Sequence, residues 1–440
     1  VHIRAEGTRR FHYGWVVIFS GMLATIGAHG FGRMSYTLIL PEMRAGLGLT
    51  YAQAGFLATG NFIGYLIFGF CGGMLAVRYG SRAVISFSLL LMGIAILLTG
   101  MVESLETALL MRFLTGLGNG GAYVVAMALG STWFAKRHSG FATGIVSGGI
   151  GAGTLISGLI VPGILISYGD PGWRYAWFYL GWLVLVIGLL CFIFLRNRPA
   201  DLGLQTVGSP QAGAGGTTAA AVSPTPAPAG RRPLNLQWQL VYKVKAVWYL
   251  GFVYFMYGFS YVIYMTFFKA FLSDEMGLSA LQAGSMWALV GGLSIFCGVI
   301  WGGISDILGR KGGAALAYLA LALSYLIFAL FHTVPAFYVS VVLFGLSAWS
   351  VPTIMAAAAG DYVGPLYAPA GVGFITLFFG LGQALGPWLG GHLADLTGTF
   401  IHSFILAACV SLVGMATSLL LKKPAAADAV QTPLNAPAAR

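Results

Sequence analysis

The chain has 440 residues, 58% of them hydrophobic and only 8% charged, and its mean hydropathy is +0.85. A water-soluble domain cannot hide that much apolar surface, so lipid must be the solvent and a soluble fold is excluded. The net charge of +11 would suit a nucleic acid, but the basic residues are sorted by membrane side rather than gathered on one patch, so no nucleic-acid partner is expected.

Backbone groups in hydrocarbon need internal partners, which leaves helices or a closed barrel. The apolar runs exceed the roughly ten alternating residues of a barrel strand. The expectation is an all-α polytopic membrane protein with twelve spans, near 14–40, 52–76, 82–101, 107–131, 139–166, 173–196, 245–271, 280–304, 312–331, 335–358, 368–394 and 401–421. With the N-terminus inside, Arg78, Arg82, Arg137, Arg196, Arg198, Lys245, Arg310, Lys311 and Lys422 share one face. The other keeps mainly Arg44, Arg174 and Lys269 among acids. That asymmetry predicts a multi-pass protein of the cell (inner) membrane with both termini cytoplasmic.

The first span is too long for a signal peptide and is read as a retained helix. Its stretch Ala28-His29-Gly30-Phe31-Gly32-Arg33 sets a histidine and an arginine beyond the midpoint, and Pro41 is expected to end it. After the second span comes Gly73-Met-Leu-Ala-Val77-Arg78-Tyr-Gly80-Ser-Arg82. Arg112 opens the fourth helix, followed by Asn119 and Tyr123. The fifth is rich in glycine at spacings that let helices approach closely.

Residues 1–198 form the expected N-terminal half. Residues 199–244 change to a low-complexity composition rich in Ala, Gly, Pro and Thr, read as a disordered linker whose last part, 234–245, is a short interfacial helix. A C-terminal half follows over 245–423, with a disordered tail over 424–440. The seventh helix puts Tyr254, Tyr257, Tyr261 and Tyr264 at three- and four-residue steps, hence on one face. Lys269 is expected at the outer surface. The loop Gly302-Gly303-Ile-Ser-Asp306-Ile-Leu-Gly309-Arg310-Lys311 is a tight polar turn in which Gly309 permits reversal and the paired glycines let helices close. In the eleventh helix Pro387 should loosen the backbone near Gln383, and His392 with Asp395 should close the outer end.

The two polar loops are related by a fixed offset, 302 − 73 = 229, which also links Gly80 with Gly309. The same offset links Gly48-Leu-Thr-Tyr-Ala-Gln53-Ala-Gly55 with Gly277-Leu-Ser-Ala-Leu-Gln282-Ala-Gly284. Two independent matches in one register predict a duplicated bundle of six plus six helices with its ligand site between the halves.

No catalytic or metal-spaced constellation is present, so neither an enzyme nor a cofactor site is expected. Cys71, Cys191, Cys297 and Cys409 fall within spans and read as small apolar residues. Arg33 and Arg112 are cations in spans without a mid-membrane acid. A buried arginine costs roughly 2.5–3.5 kcal/mol on insertion scales, so it normally faces a cavity or a partner. Two such cations favour an anion. Snorkelling is the second reading of both, and for Arg112 so is pairing with Glu103 or Glu106. Asn119, Tyr123, Tyr254, Tyr257, Tyr261 and Gln383 are candidates to orient and enclose the cargo, and His29 to carry a proton. Packing is the alternative role for each.

Gly-x-x-x-Asp-x-x-Gly-Arg-Lys resembles the signature of the major facilitator superfamily; the first copy departs from it with Val77 at the acid's place. Tyr13-Gly14-Trp15-Val-Val and Trp133-Phe134-Ala-Lys136-Arg137 resemble the monocarboxylate porter and oxalate/formate antiporter branch. The segment Gly32-Arg33-Met-Ser-Tyr36 through Pro41 is similar to the uncharacterised YbfB-like branch. In monocarboxylate porters a first-helix lysine engages proton and substrate, and Arg33 falls at that position; the eighth helix lacks that branch's Asp–Arg pair. The resemblance implies a monomeric secondary transporter of a small organic anion, monocarboxylate-like and with protons as a candidate coupling ion. It would work by alternating access, with Gly73, Arg78, Gly80, Arg82, Gly302, Asp306, Gly309, Arg310 and Lys311 as cytoplasmic latches. Proton-driven efflux of apolar compounds and a nutrient sensor on a transporter scaffold are the rival readings.

Overall fold

The computed structural model describes residues 12–209, 243–363 and 368–421. The expected interfacial helix and C-terminal tail, and most of the linker, lie outside these residues. Among the described residues the chain is helical, with one isolated bridge between Phe134 and Val207. Eleven helical runs are long and apolar enough to cross a membrane: α1 (Tyr13–Leu47), α2 (Tyr51–Tyr79), α3 (Ser81–Thr99), α4 (Leu105–Trp133), α5 (Lys136–Tyr168), α6 (Gly172–Phe194), α7 (Lys245–Glu275), the run Ala280–Leu330, α10 (Val334–Val363), α11 (Ala368–Thr397) and α12 (Ile401–Leu419). The 51-residue run breaks at Gly309, where φ is 75° and ψ 164°, so it comprises α8 (280–308) and α9 (310–330) and brings the spans to twelve.

The repeated sequence produces repeated local structure. Gly48 and Gly277 are both left-handed, with φ of 62° and 68°. Each is followed by a capping box, Thr50 with Gln53 before α2 and Ser279 with Gln282 before α8. Gly80 shares the unusual backbone of Gly309, with φ 85° and ψ 151°. A third pair emerges at Gly169 and Gly398, φ 61° and 73°, again at 398 − 169 = 229. Side chains at these positions would be strained, which accounts for the glycines.

In the first half α2 packs on α4, α3 on α4 and α6, and α1 on α5; in the second α7 packs on α11 and α12. The halves meet along α2–α11, α5–α8 and α1–α7. Large apolar side chains such as Phe70, Trp182, Leu189 and Val299 are exposed on the perimeter, as a lipid-facing surface requires.

Two expectations are corrected. Helix α1 does not end at Pro41 but runs through it to Leu47, because neighbouring helices hold the segment in place. Helix α11 contains Pro387, and the nearby Ala384 carbonyl accepts from Thr59 Oγ1 at 2.6 Å. Residues 199–209, assigned to the linker, are folded: a short turn, Pro199–Leu202, leads to Val207, which exchanges backbone hydrogen bonds with Trp133 and Ala135, both 2.9 Å. His12 fastens the same segment, Nε2 donating to the Gln205 carbonyl while Nδ1 accepts from Gly14 N.

Candidate substrate site

The middle of α1 is not an ordinary α-helix. Ile26–Met34 is a π-helical segment holding both His29 and Arg33. Its wider turns aim carbonyls away from the helix axis, and these need partners in a dry interior. Asn119 Nδ2 donates to Ala28 O at 2.8 Å, Ser157 Oγ to Gly30 O at 3.2 Å, and Arg112 Nη1 to Gly32 O at 3.1 Å. Close approach of α5 completes the brace. A Cβ on Gly30 would fall 2.4 Å from Gly153 Cα, so nothing larger than glycine fits there.

Asn119 and Arg112, read from sequence as cargo contacts, therefore hold the segment that carries the central charge. Arg112 is 1% exposed, lies over the Tyr36 ring at 4.5 Å, and forms no ion pair with Glu103 or Glu106. Its snorkelling reading is corrected: the π-segment's free carbonyl and the aromatic rings keep the guanidinium inside.

Arg33 reaches the seam between the halves. It is 9% exposed, and its Nη2 donates to the Tyr261 hydroxyl at 2.6 Å. That hydroxyl also accepts from Gln383 Nε2, so α1, α7 and α11 meet at one oxygen. The Arg33 guanidinium lies 4.4 Å from the Phe62 ring and 5.7 Å from Tyr65, both from α2. Tyr257 stacks on Tyr261 at 4.5 Å and 3°, and Tyr254 stacks on Phe379 at 4.5 Å, forming an aromatic wall. The Tyr257 hydroxyl donates to Ala348 O, a carbonyl beside the interruption in α10. Tyr264 leaves this wall for an aromatic cluster inside the second half, with its hydroxyl on Ser340. Three- and four-residue steps drift around a helix, and the fourth tyrosine has turned away.

His29 stands one turn before Arg33, its ring 4.2 Å from that of Tyr123 and 5.8 Å from Tyr65, with Nδ1 unpartnered. Gln383 Oε1, Asn61 Oδ1 and Trp349 Nε1 are buried without partners as well. On the far side of Arg33 a small cavity is lined by Arg33, Tyr36, Thr37, Asn61, Phe62, Arg112, Met265 and Thr266. It offers about 20 Å³ to the centre of a water-sized sphere. Phe62, Tyr65, Asn61 and Trp349 lacked any sequence signal beyond helical spacing.

The end of the bundle near Asp395 is sealed across the halves. Asp395 accepts from Tyr51 N at 2.9 Å and Ala52 N at 2.7 Å, capping α2 from α11. Tyr51 donates to Asp274, 2.7 Å, which also faces Arg44 at 3.7 Å. Lys269, expected at the surface, is wholly buried between α1 and α7; it donates to Glu42 at 2.5 Å and to Leu38 O at 2.7 Å. Continuation of α1 past Pro41 is what brings Glu42 to it. His392 stacks near Trp388 instead of joining Asp395.

The Gly309 end differs. Arg310 binds Asp306 at 2.8 Å, Asp361 at 2.9 Å and Ser305 at 2.9 Å, all in the second half. Arg82 donates to Phe192 O and, through its backbone, to Asn197, all in the first, and Arg78 lies over its neighbour Tyr79. A Cβ on Gly73, Gly302 or Gly303 would meet nothing within 4 Å, so the closing of helices expected at the glycine pair does not occur in this arrangement.

The family model of the Major Facilitator Superfamily matches residues 22–332 and 250–439. The chain is 27% identical to a probable sulfoacetate transporter of Cupriavidus necator, over 88% of this chain and 89% of the relative. It is 24% identical to a hexuronate transporter of Bacillus subtilis, over 85% and 87%. Its fold superposes on a bacterial homologue of the human lysosomal transporter Spinster, solved inward-facing and unoccupied, with a TM-score of 0.76 at 16% identity, over 94% and 98% of the two chains. Twelve spans in two repeated halves and the family match agree: the chain is a multi-pass membrane transporter of the Major Facilitator Superfamily.

Proposed function

We propose that this transporter carries a small organic anion by alternating access, its halves rocking about Arg33. The observation behind this reading is a guanidinium buried at the seam and tied to both halves, with no ion pair to a carboxylate among the described residues. A desolvated cation without a counter-charge is costly, and a carboxylate or sulfonate arriving at Arg33 supplies one. The cargo then competes for the Arg33–Tyr261 contact, the very link between the halves. The relatives named for sulfoacetate and hexuronate transport also act on organic anions. Monocarboxylates satisfy the minimum of one acidic group.

Basic residues gather at the Gly309 end, among them Arg78, Arg82, Arg137, Arg196, Lys245, Arg310 and Lys311, so that end is cytoplasmic by the positive-inside rule. The arrangement described is then open toward the cytoplasm. We assign the coupling proton to His29, whose unpartnered Nδ1 lies one turn from the anion's anchor. The test is uptake and counterflow of radiolabelled organic acids in proteoliposomes. Arg33→Gln should lower counterflow at least tenfold, and unchanged counterflow overturns the anion reading. His29→Gln should abolish accumulation driven by a pH gradient while counterflow continues; gradient-driven accumulation that persists overturns the proton assignment alone.

A further inference from the structure

Away from the seam, the turn between α3 and α4 borders a groove of about 350 Å³ at the Asp395 end of the first half. Its walls are apolar: Leu98, Met101 and Val102 from α3 and the turn, and Met111 from α4. Its rim is polar, with Glu103, Ser104 and Thr107. The turn that shapes it is firmly held. Arg174 Nη1 donates to Gly100 O at 3.1 Å and to Val102 O at 2.8 Å, fastening the turn to α6. A Cβ on Gly100 would fall 2.7 Å from the Phe178 ring and 2.8 Å from Arg174 O, so the two segments are pressed together. Ser104 caps α4 by accepting from Thr107 N at 3.3 Å, and Thr107 Oγ1 donates to Ser104 O at 3.0 Å.

Shape and charge together narrow the occupant. An exposed apolar stripe, Phe87, Leu90, Ile94, Leu98 and Met101, follows three- and four-residue steps along α3 and ends in the groove. A hydrocarbon chain laid on that stripe arrives with its polar end at the rim, and the two methionine side chains are flexible enough to fit around it. At the rim Glu103 is exposed and has no ion pair among the described residues; Arg174, which holds the same turn, is engaged by carbonyls instead. Among the described residues no lysine or arginine lines the groove, so an anionic lipid head meets repulsion there and no partner. No aromatic ring lines it either, so the cage that suits a quaternary ammonium is missing. A primary ammonium fits: it offers three N–H donors, matched by the Glu103 carboxylate and the hydroxyl lone pairs of Ser104 and Thr107.

We propose that this groove is a binding site for a phospholipid with a primary ammonium head, a phosphatidylethanolamine. The amine sits at Glu103 and one acyl chain lies along the exposed stripe of α3. On the orientation proposed above, the head belongs to the outer leaflet. Both walls of the groove belong to the first half, so the lipid stays in place whichever way the halves rock, and its binding is independent of the cargo.

The experiment uses the full-length protein in proteoliposomes at about physiological ionic strength, so that long-range attraction is screened. Phosphatidylethanolamine, phosphatidylcholine and phosphatidylglycerol, each with a photoactivatable diazirine in one acyl chain, are compared at equal mole fraction. Cross-links are mapped by peptide mass spectrometry and normalised to those on α12. In the wild type, the ethanolamine lipid should label residues 87–111 about fivefold or more above either of the others. Glu103→Gln should bring that ratio to about twofold or less, and Glu103→Lys should turn the preference toward the glycerol lipid. Glu106→Gln, three residues on and outside the groove lining, should keep the wild-type ratio. Equal labelling by the ethanolamine and choline lipids in the wild type overturns the proposal without recourse to any variant. So does a preference that Glu103→Gln leaves intact. A preference lost equally in Glu106→Gln also overturns it, because the attraction is then a diffuse effect of negative surface charge. Labelling by all three lipids that avoids 87–111 removes the groove as a lipid site altogether.

Discussion

The two ends of the bundle are built from the same repeated sequence yet do different things. At the Asp395 end the polar contacts run between halves: Asp395 to the start of α2, Asp274 to Tyr51, Glu42 to Lys269. At the Gly309 end they stay within halves, Arg310 to Asp361 and Arg82 to Asn197. Contacts of the first kind must break for the halves to separate there. Those of the second kind can persist as each half moves as a body. On the alternating-access reading proposed above, the asymmetry corresponds to one state of the carrier, and these cross-half contacts are the groups that would hold it.

Backbone contact should give the largest effect. A Cβ on Gly55 would lie 2.1 Å from Pro387 O across the sealed seam, with no flexible side chain to yield. Gly55→Val should open that end almost completely. The reporter is a cysteine at Thr266, in a background with the four native cysteines replaced, labelled by a membrane-impermeant thiol reagent; we expect its rate from the Asp395 side to rise about a hundredfold or more. Gly73→Val at the other end meets open space and should leave that rate unchanged, while arresting uptake if the cycle must close there. Equal labelling of both variants would remove the distinction between the ends.

Glu42→Gln comes next. It leaves the Lys269 ammonium with an amide and one carbonyl, in a site where its side chain is wholly buried. Breaking a fully buried pair costs about 3–5 kcal/mol, but the Glu42 carboxylate is 31% exposed, so about 2 kcal/mol is expected. That favours the opposite state roughly thirtyfold. The same labelling assay reads it, and Lys269→Met in the Glu42→Gln background should restore most of the seal.

These residues also show what was legible beforehand. Composition together with the length of the apolar runs made helices the solution, and the 229-residue offset carried the duplication, down to matching left-handed glycines and capping boxes. Arg33, Tyr261 and Gln383 could be singled out because each is a polar side chain in an apolar span; the structure joins all three at one hydroxyl. Asn119 was visible for the same reason, but its partner, a carbonyl freed by a π-helical turn, has no sequence pattern. Pro41 misled because the hydrogen bond a proline removes stops a lone helix, whereas here the neighbouring α7 packs alongside and holds the segment. Placing the stop there also hid the pairing of Glu42 with Lys269. Asp395 was associated with closure, yet its target is a set of backbone N–H groups, which every helix start possesses.

The finest division between the ends comes from one chemical change made twice. Asp395→Asn keeps the shape of the cap on α2 but removes its charge, weakening two charge-assisted hydrogen bonds that cross the seam. Losing that share of an N-cap should cost about 1 kcal/mol, all of it from the sealed state, because the partner lies on the other half. The labelling rate at Thr266→Cys from that side should rise about fivefold. Asp361→Asn weakens a bond to Arg310 of similar length, 2.9 Å, between side chains that are 31% and 42% exposed. Partly exposed pairs contribute about 0.2–1 kcal/mol, and here both partners travel in the same half, so the balance between states should not change. The expected result is a slightly lower melting temperature with Thr266→Cys labelling as in the parent. A rise in labelling for Asp361→Asn equal to that for Asp395→Asn would mean that the two ends are not mechanically independent, and that the contact within the second half is itself part of the gate.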